Sequence, residues 1–248
     1  MDTRKSIPIS LRERFSGPGG RVLGTFLKLP ATEAVDIVAL AGFDFVIVDR
    51  EHSQLDEGQA LRLVRHAAAI GLPAVVRLPD PDAAAVNRLL EAGAGGIQLS
   101  SVRSADQVHS LVDASRYAPD GHRSVSLAHP MAGYGSVSLA EAVAGAPPLL
   151  VGQIETAELD DPLDEIFAAG LDVAFLGVTD LTVALGFDAD RVRERVEEVA
   201  KAAQVTATVL GVFAADPAAI PEGARYVALS SDLALLRAAA GKVVHDAR

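Results

Sequence analysis

The residues that could do chemistry in this chain stand directly after short apolar runs. Asp49 and His52 follow Phe45-Val46-Ile47-Val48, and Arg77 follows Ala74-Val75-Val76. Ser100 and Ser101 follow Ile97-Gln98-Leu99, Gln153 and Glu155 end the run from Leu149, and Asp180 lies just beyond Val173 to Leu176. Two carboxylates with open positions for water and substrate suit a hard divalent cation such as Mg2+ or Mn2+. A histidine among acids titrates near neutral pH and suits proton transfer. Each residue also has a plain structural reading. Glu155 could cap a helix, Asp180 could be a first-turn acid favoured by the helix dipole, and Arg77 could clamp a loop. His52 could be an ordinary loop histidine, as His66, His109 and His245 read on their helices, while His122 and His129 stay undecided. What favours a site is that all these groups end strands, because an α/β fold gathers strand ends onto one rim.

The elements that would position them read as follows. Strand 1 spans Val22 to Leu27, and Thr32 can N-cap a helix that Gly42 closes. After strand 2, Asp56 and Gln59 form a capping-box pattern for a helix to Ala69, closed by Gly71. Strand 3 is followed by Asp80-Pro81, an N-cap with proline at the first helical position, and Gly93 ends that helix. Ser104 and Gln107 repeat the capping box for a helix to about Ser115. Residues 116–136 are long, Gly/Pro-punctuated and aperiodic, which suggests a lid or binding loop. A short helix at 138–144 leads to strand 5, then come helix 158–169, strand 6, the Gly177-Val178-Thr179-Asp180 turn and helix 190–204. Strand 207–213, a turn at Asp216-Pro217, strand 226–229 and a helix from Asp232 complete the chain. Strands and helices that alternate in this way predict an α/β fold, a closed (β/α)8 TIM barrel of residues 1–248 with a lead-in over 1–20.

Composition sets the outer bounds. At 248 residues, half hydrophobic but only 4% aromatic with no Trp, the core must be aliphatic. A net charge of -11 argues against nucleic acid or an anionic membrane as partner. The absence of cysteine excludes disulfides, thiolate nucleophiles and Cys-ligated zinc. No apolar run approaches the ~20 residues of a membrane span, and the first residues carry no apolar signal segment, so the expectation is a cytoplasmic protein. Gly93-Ala94-Gly95-Gly96 precedes a strand instead of following one, which removes a dinucleotide-binding turn. No lysine is counted at a strand end, so a Schiff-base aldolase has no obvious nucleophile.

The stretches GTFLKLPATEAVDIVALAGFDFVIVDREH, AVVRLPDPD, LLEAGAGGIQL, YAPDGHRS, VGQIET and FLGVTDLTVALG together resemble the HpcH/HpaI aldolase family. The resemblance runs from about Gly24 to Leu236 with the motifs in the family's order. It implies a barrel of the phosphoenolpyruvate/pyruvate superfamily and a class II, metal-dependent pyruvate aldolase using Mg2+, Mn2+ or Co2+. It implies Glu155 and Asp180 as metal ligands, Arg77 as the group facing the enolate and His52 as the base. The acid partner of His52 would be Asp49, or Glu91 reaching across a subunit boundary. Gln153 and the backbone around Thr179 would hold pyruvate oxygens, with Ser101 and Arg50 also assigned to the substrate pocket. Dimers assembling into hexamers are implied too, and the apolar final helix allows such packing.

This sequence departs from the family's pattern at Arg50, Glu91, Ser101, Ser124 and Val178, which bears on the aldehyde side of the pocket. Arg50 is expected to favour aldehydes carrying an acid group. The implied reaction is reversible cleavage of a 4-hydroxy-2-oxo acid to pyruvate and an aldehyde. The alternatives are the same enolate chemistry used for decarboxylation or for biosynthetic carbon–carbon bond formation. A catalytically silent barrel subunit would be expected to have lost the ligands that are present here.

Overall fold

The computed structural model describes residues 10–15, 17 and 19–248, so the lead-in expected over 1–20 is described only in part. Eight parallel strands close on themselves in sequence order: β1 (Val22–Leu27), β2 (Phe45–Asp49), β3 (Ala74–Leu78), β4 (Gly96–Leu99), β5 (Leu149–Ile154), β6 (Val173–Leu176), β7 (Val209–Ala214) and β8 (Tyr226–Ser231). β8 pairs with β1, with a register shift between Gly24 and Phe26. The (β/α)8 barrel expected from the sequence is therefore the fold.

Period-two alternation divides each strand between two cores. Val22, Phe26, Phe45, Ile47, Val75, Leu149, Val151, Val173, Phe175, Tyr226 and Ala228 fill the barrel interior. Val46, Val48, Val76, Ile97 and Leu150 face outward to the helices. Leu11 and Phe15, from the segment before β1, plug the amino-terminal end, where Phe15 stacks 5.9 Å from Tyr226. The interior pattern fixes which side chains reach the carboxyl rim. Counting by twos from Ile47 gives Asp49, from Val75 gives Arg77, and from Val151 gives Gln153 and Glu155.

The helices on the outer layer are α1 (Thr32–Leu40), α2 (Glu57–Ile70), α3 (Ala83–Ala92), α4 (Ala105–Ser115), α5 (Leu139–Val143), α6 (Leu163–Ala168), α7 (Val178–Ala184), α8 (Ala189–Val205) and α9 (Asp232–Asp246). The capping boxes of α2 and α4 form as the sequence suggests, and Gly71 and Gly93 close α2 and α3 in the left-handed conformation. Several boundaries move. α3 is capped by Asp82, whose carboxylate accepts Ala85 N at 2.9 Å, and Asp80-Pro81 stays in the preceding loop. α1 starts at Thr32 behind Ala31, so Thr32 is inside the helix and does not cap it. α6 is far shorter than 158–169, because Pro162 disfavours helix at the residue before it. Asp160 N is instead held by Arg103 O at 2.9 Å. The Gly177–Asp180 turn is the start of α7.

The expected lid also needs correction. Residues 116–136 connect the end of α4 to the start of β5, and α4 runs antiparallel to the strands, so this segment lies at the amino-terminal end of the barrel. Met131 sits against Gly93 at the end of α3, and Arg123 Nε donates to Asn87 Oδ1 at 2.9 Å. A cavity of about 660 Å³ between this segment and the ends of α2 and α3 is lined by Pro73, Tyr117, His129 and Met131. The loop thus cannot fold over the carboxyl rim of its own chain. Among the described residues no helix is long and apolar enough to cross a membrane.

Candidate active site at the carboxyl rim

Asp49 ends β2 and is fully buried, opposite Arg77 in the β2–β3 register. Arg77 grips it bidentately, Nε to Oδ1 at 2.9 Å and Nη2 to Oδ2 at 2.6 Å. Lys28 Nζ lies 3.0 Å from Oδ2, and the backbone N–H groups of Glu51 and His52 donate to Oδ1 at 3.1 and 3.2 Å. Burial pushes the Asp49 carboxyl up, but the Arg77 hydrogen bonds and charge, with His52 N–H and Lys28, outweigh it and hold the pKa at about 2. Arg77 is itself buried and lies 4.6 Å over the Phe26 ring, while its Nη1 reaches Glu51 Oε2 at 3.2 Å. A guanidinium fixed on three sides this way retains one N–H on each terminal nitrogen for a ligand.

Glu155, at the exit of β5, is the other buried acid. Ser101 donates both its backbone N–H and its hydroxyl to Oε1 at 2.8 Å, and Gln153 donates its amide to Oε2. Ser101 reaches this position at φ 50°, the left-handed region that non-glycine residues rarely occupy. The Gln153 amide is oriented by a directed chain of hydrogen bonds. Tyr226 Oη donates to Gln98 Oε1 at 3.1 Å, and Gln98 Nε2 donates to Gln153 Oε1 at 2.7 Å. Desolvation raises the Glu155 pKa despite these donors, with the Glu51 charge adding to the rise. A buried acid left with too little positive charge is the setting in which a cation would be most welcome.

Gly177, the N-cap of α7, has no side chain, and the Glu155 side chain fills the place one would take. A Cβ there would lie 2.6 Å from Glu155 Cβ and would also strike the carboxylate. Asp180 lies in the first turn of the same helix, and it and Thr179 are exposed. Glu155 thus directly follows β5, Asp180 sits on the helix that follows the adjoining strand β6, and both offer hard oxygen donors. No cluster of three or more His, Cys, Asp or Glu residues forms among the described residues, so a cation here would need water or substrate to complete its shell.

The remaining assignments separate. His52 has a half-exposed ring whose Nε2 lies 3.8 Å from Glu51 Oε2, so the carboxylate facing it is Glu51. Asp49 is wholly engaged with Arg77, Lys28 and backbone donors. Glu91 is at the carboxyl end of α3, where Asn87 Nδ2 reaches its Oε1 at 3.4 Å. That is the opposite end of the barrel from His52, so within one chain the two do not meet. Arg50 alternates with Asp49 and faces outward, and its charge acts on Glu57 and Asp82 at the starts of α2 and α3. It is not brought together with Arg77 and Glu155.

Sequence reasoning missed Lys28, Gln98 and Tyr226, and gave no role to Glu51 although it stands among the polar residues after β2. Lys28 corrects the statement that no strand end carries a lysine, for it follows β1 directly and its ammonium sits inside the site. The interior alternation Val22, Gly24, Phe26 pointed to it. Its side-chain nitrogen is tied to Asp49 and to the His52 carbonyl oxygen, so it is not placed to attack a substrate carbonyl. Glu51 links Arg77, His52 and Ser100, whose hydroxyl donates to its Oε2 at 2.6 Å.

The model of the HpcH/HpaI aldolase/citrate lyase family matches residues 23–239. A hydroxypyruvate/pyruvate aldolase of Paraburkholderia phytofirmans is 31% identical over 97% of both chains. A 5-keto-4-deoxy-D-glucarate aldolase of Shigella boydii is 28% identical over 89% of this chain and 90% of its own. The crystal structure of an HpcH/HpaI aldolase from Desulfitobacterium hafniense superposes with a TM-score of 0.87 at 33% identity, covering 96% of each chain. A match that spans the barrel from β1 into α9, in sequence and in backbone alike, leaves one conclusion: the chain belongs to the HpcH/HpaI aldolase/citrate lyase family.

Proposed function

We propose that this protein is a divalent-metal-dependent aldolase that reversibly cleaves a 4-hydroxy-2-oxo acid to pyruvate, or a close 2-oxo acid, and an aldehyde. The observation that carries the reading is Glu155: a buried carboxylate, aimed by Ser101 and Gln153, that packs directly against Gly177 at the start of the helix bearing Asp180. Glu155 and Asp180 would hold Mg2+, Mn2+ or Co2+. When bound, such an ion supplies Lewis-acid polarisation of the carboxylate and keto oxygens of the substrate.

The chain's own residues account for the rest. The free N–H groups of Arg77 donate to the C2 oxygen, where charge accumulates as the C3–C4 bond breaks. Asp49 and Glu51 hold that guanidinium in place, so it need not reorganise during the reaction. His52 accepts the C4 hydroxyl proton, with Glu51 supporting the imidazolium that forms. C4 leaves as the aldehyde, the electron pair of the broken bond becomes the enolate, and protonation at C3 gives pyruvate. Gln153 directs its fixed amide toward the oxygens of the 2-oxo acid, and Ser101 and the backbone at Thr179 border the same space.

Support for pyruvate or hydroxypyruvate as the donor comes from the names of the aldolase relatives. The test is a panel of 4-hydroxy-2-oxo acids, with oxaloacetate included, assayed for 2-oxo acid release with Mn2+ or Mg2+ present and after chelation. Metal-dependent release from the hydroxy acids supports aldol cleavage. Release from oxaloacetate alone would replace it with decarboxylation. We also infer a homo-oligomer, because α9 leaves Leu233, Leu235, Leu236, Val243 and Val244 exposed. Light scattering in solution that gives a monomer mass would refute this.

A further inference from the structure

Lys28 enters the site from β1, one strand away from any residue assigned a role so far. Its backbone N–H and that of Leu29 both donate to Asp232 Oδ2 at 2.9 Å. Asp232 is buried at the start of α9, so the exit of β1 is pinned from behind. From that anchor the side chain follows the inward course of Phe26. Its ammonium bridges two groups of the β2 exit, Asp49 Oδ2 at 3.0 Å and the His52 carbonyl oxygen at 3.1 Å. Only about a fifth of the side chain is exposed (22%).

The charges around Arg77 give this bridge its consequence. Arg77 faces two carboxylates, Asp49 and Glu51. Alone, one guanidinium against two acids would present a net negative site to an anionic 2-oxo acid and to the still more negative enolate. Lys28 supplies the second cation and makes the four groups neutral. Its compact ammonium, with three donors, can hold Asp49 and the His52 carbonyl together. A pair of this kind in a partly desolvated rim acts far more strongly than the same pair in water.

We propose that Lys28 is a positioning residue of the active site: it balances the second carboxylate at Arg77, so that the guanidinium remains attractive to the enolate, and it ties down the turn carrying His52. This deepens the aldolase reading and rests on it for its catalytic part. Lys28 does not touch the reacting atoms; it acts through Asp49, Arg77 and the backbone of His52.

The test uses the metal-loaded full chain and deuterium uptake at the methyl group of pyruvate in D2O, followed by NMR, which needs no knowledge of the aldehyde. Lys28→Met is expected to lower kcat for exchange roughly 10- to 100-fold, the scale of one charged hydrogen bond lost beside the reacting centre, and to raise KM for pyruvate. Lys28→Arg, which restores the cation, is expected to recover most of the KM change while regaining less of kcat, since its planar fork cannot reproduce the ammonium's two bonds. Exchange by Lys28→Met within twofold of wild type in both constants would overturn the proposal, as would a variant that no cation rescues. A second measurement separates this inference from the aldolase reading. Amide hydrogen exchange at Glu51 and His52, whose N–H groups donate to Asp49, is expected to quicken in Lys28→Met and to quicken less in Lys28→Arg. If wild type itself exchanges no pyruvate deuterium, the aldolase reading fails, and equal amide protection in wild type and Lys28→Met would then overturn the tie as well.

Discussion

Replacing Asp49 by Asn tests the electrostatic core of the site, because the structure sets both the size of the effect and its pH dependence. The carboxylate is fully buried and accepts from Arg77, Lys28 and two backbone N–H groups. Its pKa falls from 3.8 to about 2, so ionisation in the fold stabilises the protein at neutral pH by about 2 kcal/mol. Asparagine forfeits that and also strands Arg77 and Lys28, and breaking a buried pair by removing one partner costs roughly 3–5 kcal/mol. The second figure governs at pH 7, because the first counts only the proton and not the orphaned cations. A loss of at least about 3 kcal/mol is expected, which for about 3 kcal/mol is roughly 6–12 °C in Tm for a chain of this size.

The sign of the pH effect follows from the depressed pKa. The wild-type carboxylate contributes its full share above the unfolded pKa of 3.8 and loses it as pH falls through about 2. Asp49→Asn has nothing to lose over that range. The stability gap between the two proteins should therefore narrow by about 1 kcal/mol by pH 3 and about 2 kcal/mol by pH 2. Urea unfolding of both proteins at pH 7, 4 and 3 measures it. A gap under about 1 kcal/mol at pH 7, or one that is the same at pH 7 and pH 3, would refute the placement of Asp49 between two cations.

Three other substitutions probe separate parts of the rim. His52→Ala removes the proposed base from a half-exposed position, so aldol cleavage should fall roughly 10²- to 10⁴-fold while Tm hardly moves; an unchanged rate would remove His52 from the reaction. Gly177→Ala places a methyl group where the Glu155 side chain lies and should displace that carboxylate, so calorimetric titration with Mn2+ should show weaker binding with the barrel intact by circular dichroism; undiminished affinity would mean that the position of Glu155 does not serve a cation. Arg50→Ala should leave the ratio of acidic to neutral aldehyde turnover as in wild type, because Arg50 faces Glu57 and Asp82; a selective loss of acidic aldehydes would place it back in the pocket.

The barrel was legible in the sequence because its helix ends carry local signals. Asp56 with Gln59, Ser104 with Gln107, and the glycines at 71 and 93 each fix a boundary through bonds made within a few residues. Where the signal was ambiguous the reading slipped. Asp80 and Asp82 are both of a capping residue type, and it is Asp82 whose carboxylate accepts Ala85 N. The rim positions of Asp49, Arg77 and Glu155 followed from strand ends alone. The polar chain behind Glu155 could not, since Tyr226 and Gln98 sit inside apolar runs 128 positions apart and meet only when β8 closes against β1. The loop at 116–136 was misplaced for a different reason. Aperiodic composition marks a loop but not the end of the barrel it occupies, which connectivity from α4 to β5 decides.

In the proposed reaction Glu155, with Asp180, would hold a divalent ion, and Arg77 would face the enolate of the 2-oxo acid. Deuterium uptake at the pyruvate methyl group, in wild type and Glu155→Gln with and without Mn2+, tests it most directly. Metal-loaded wild type is expected to take up deuterium, chelation to abolish the uptake and added Mn2+ to restore it, with none above background in Glu155→Gln. Uptake that survives chelation, or that Glu155→Gln retains at the wild-type rate, would contradict it.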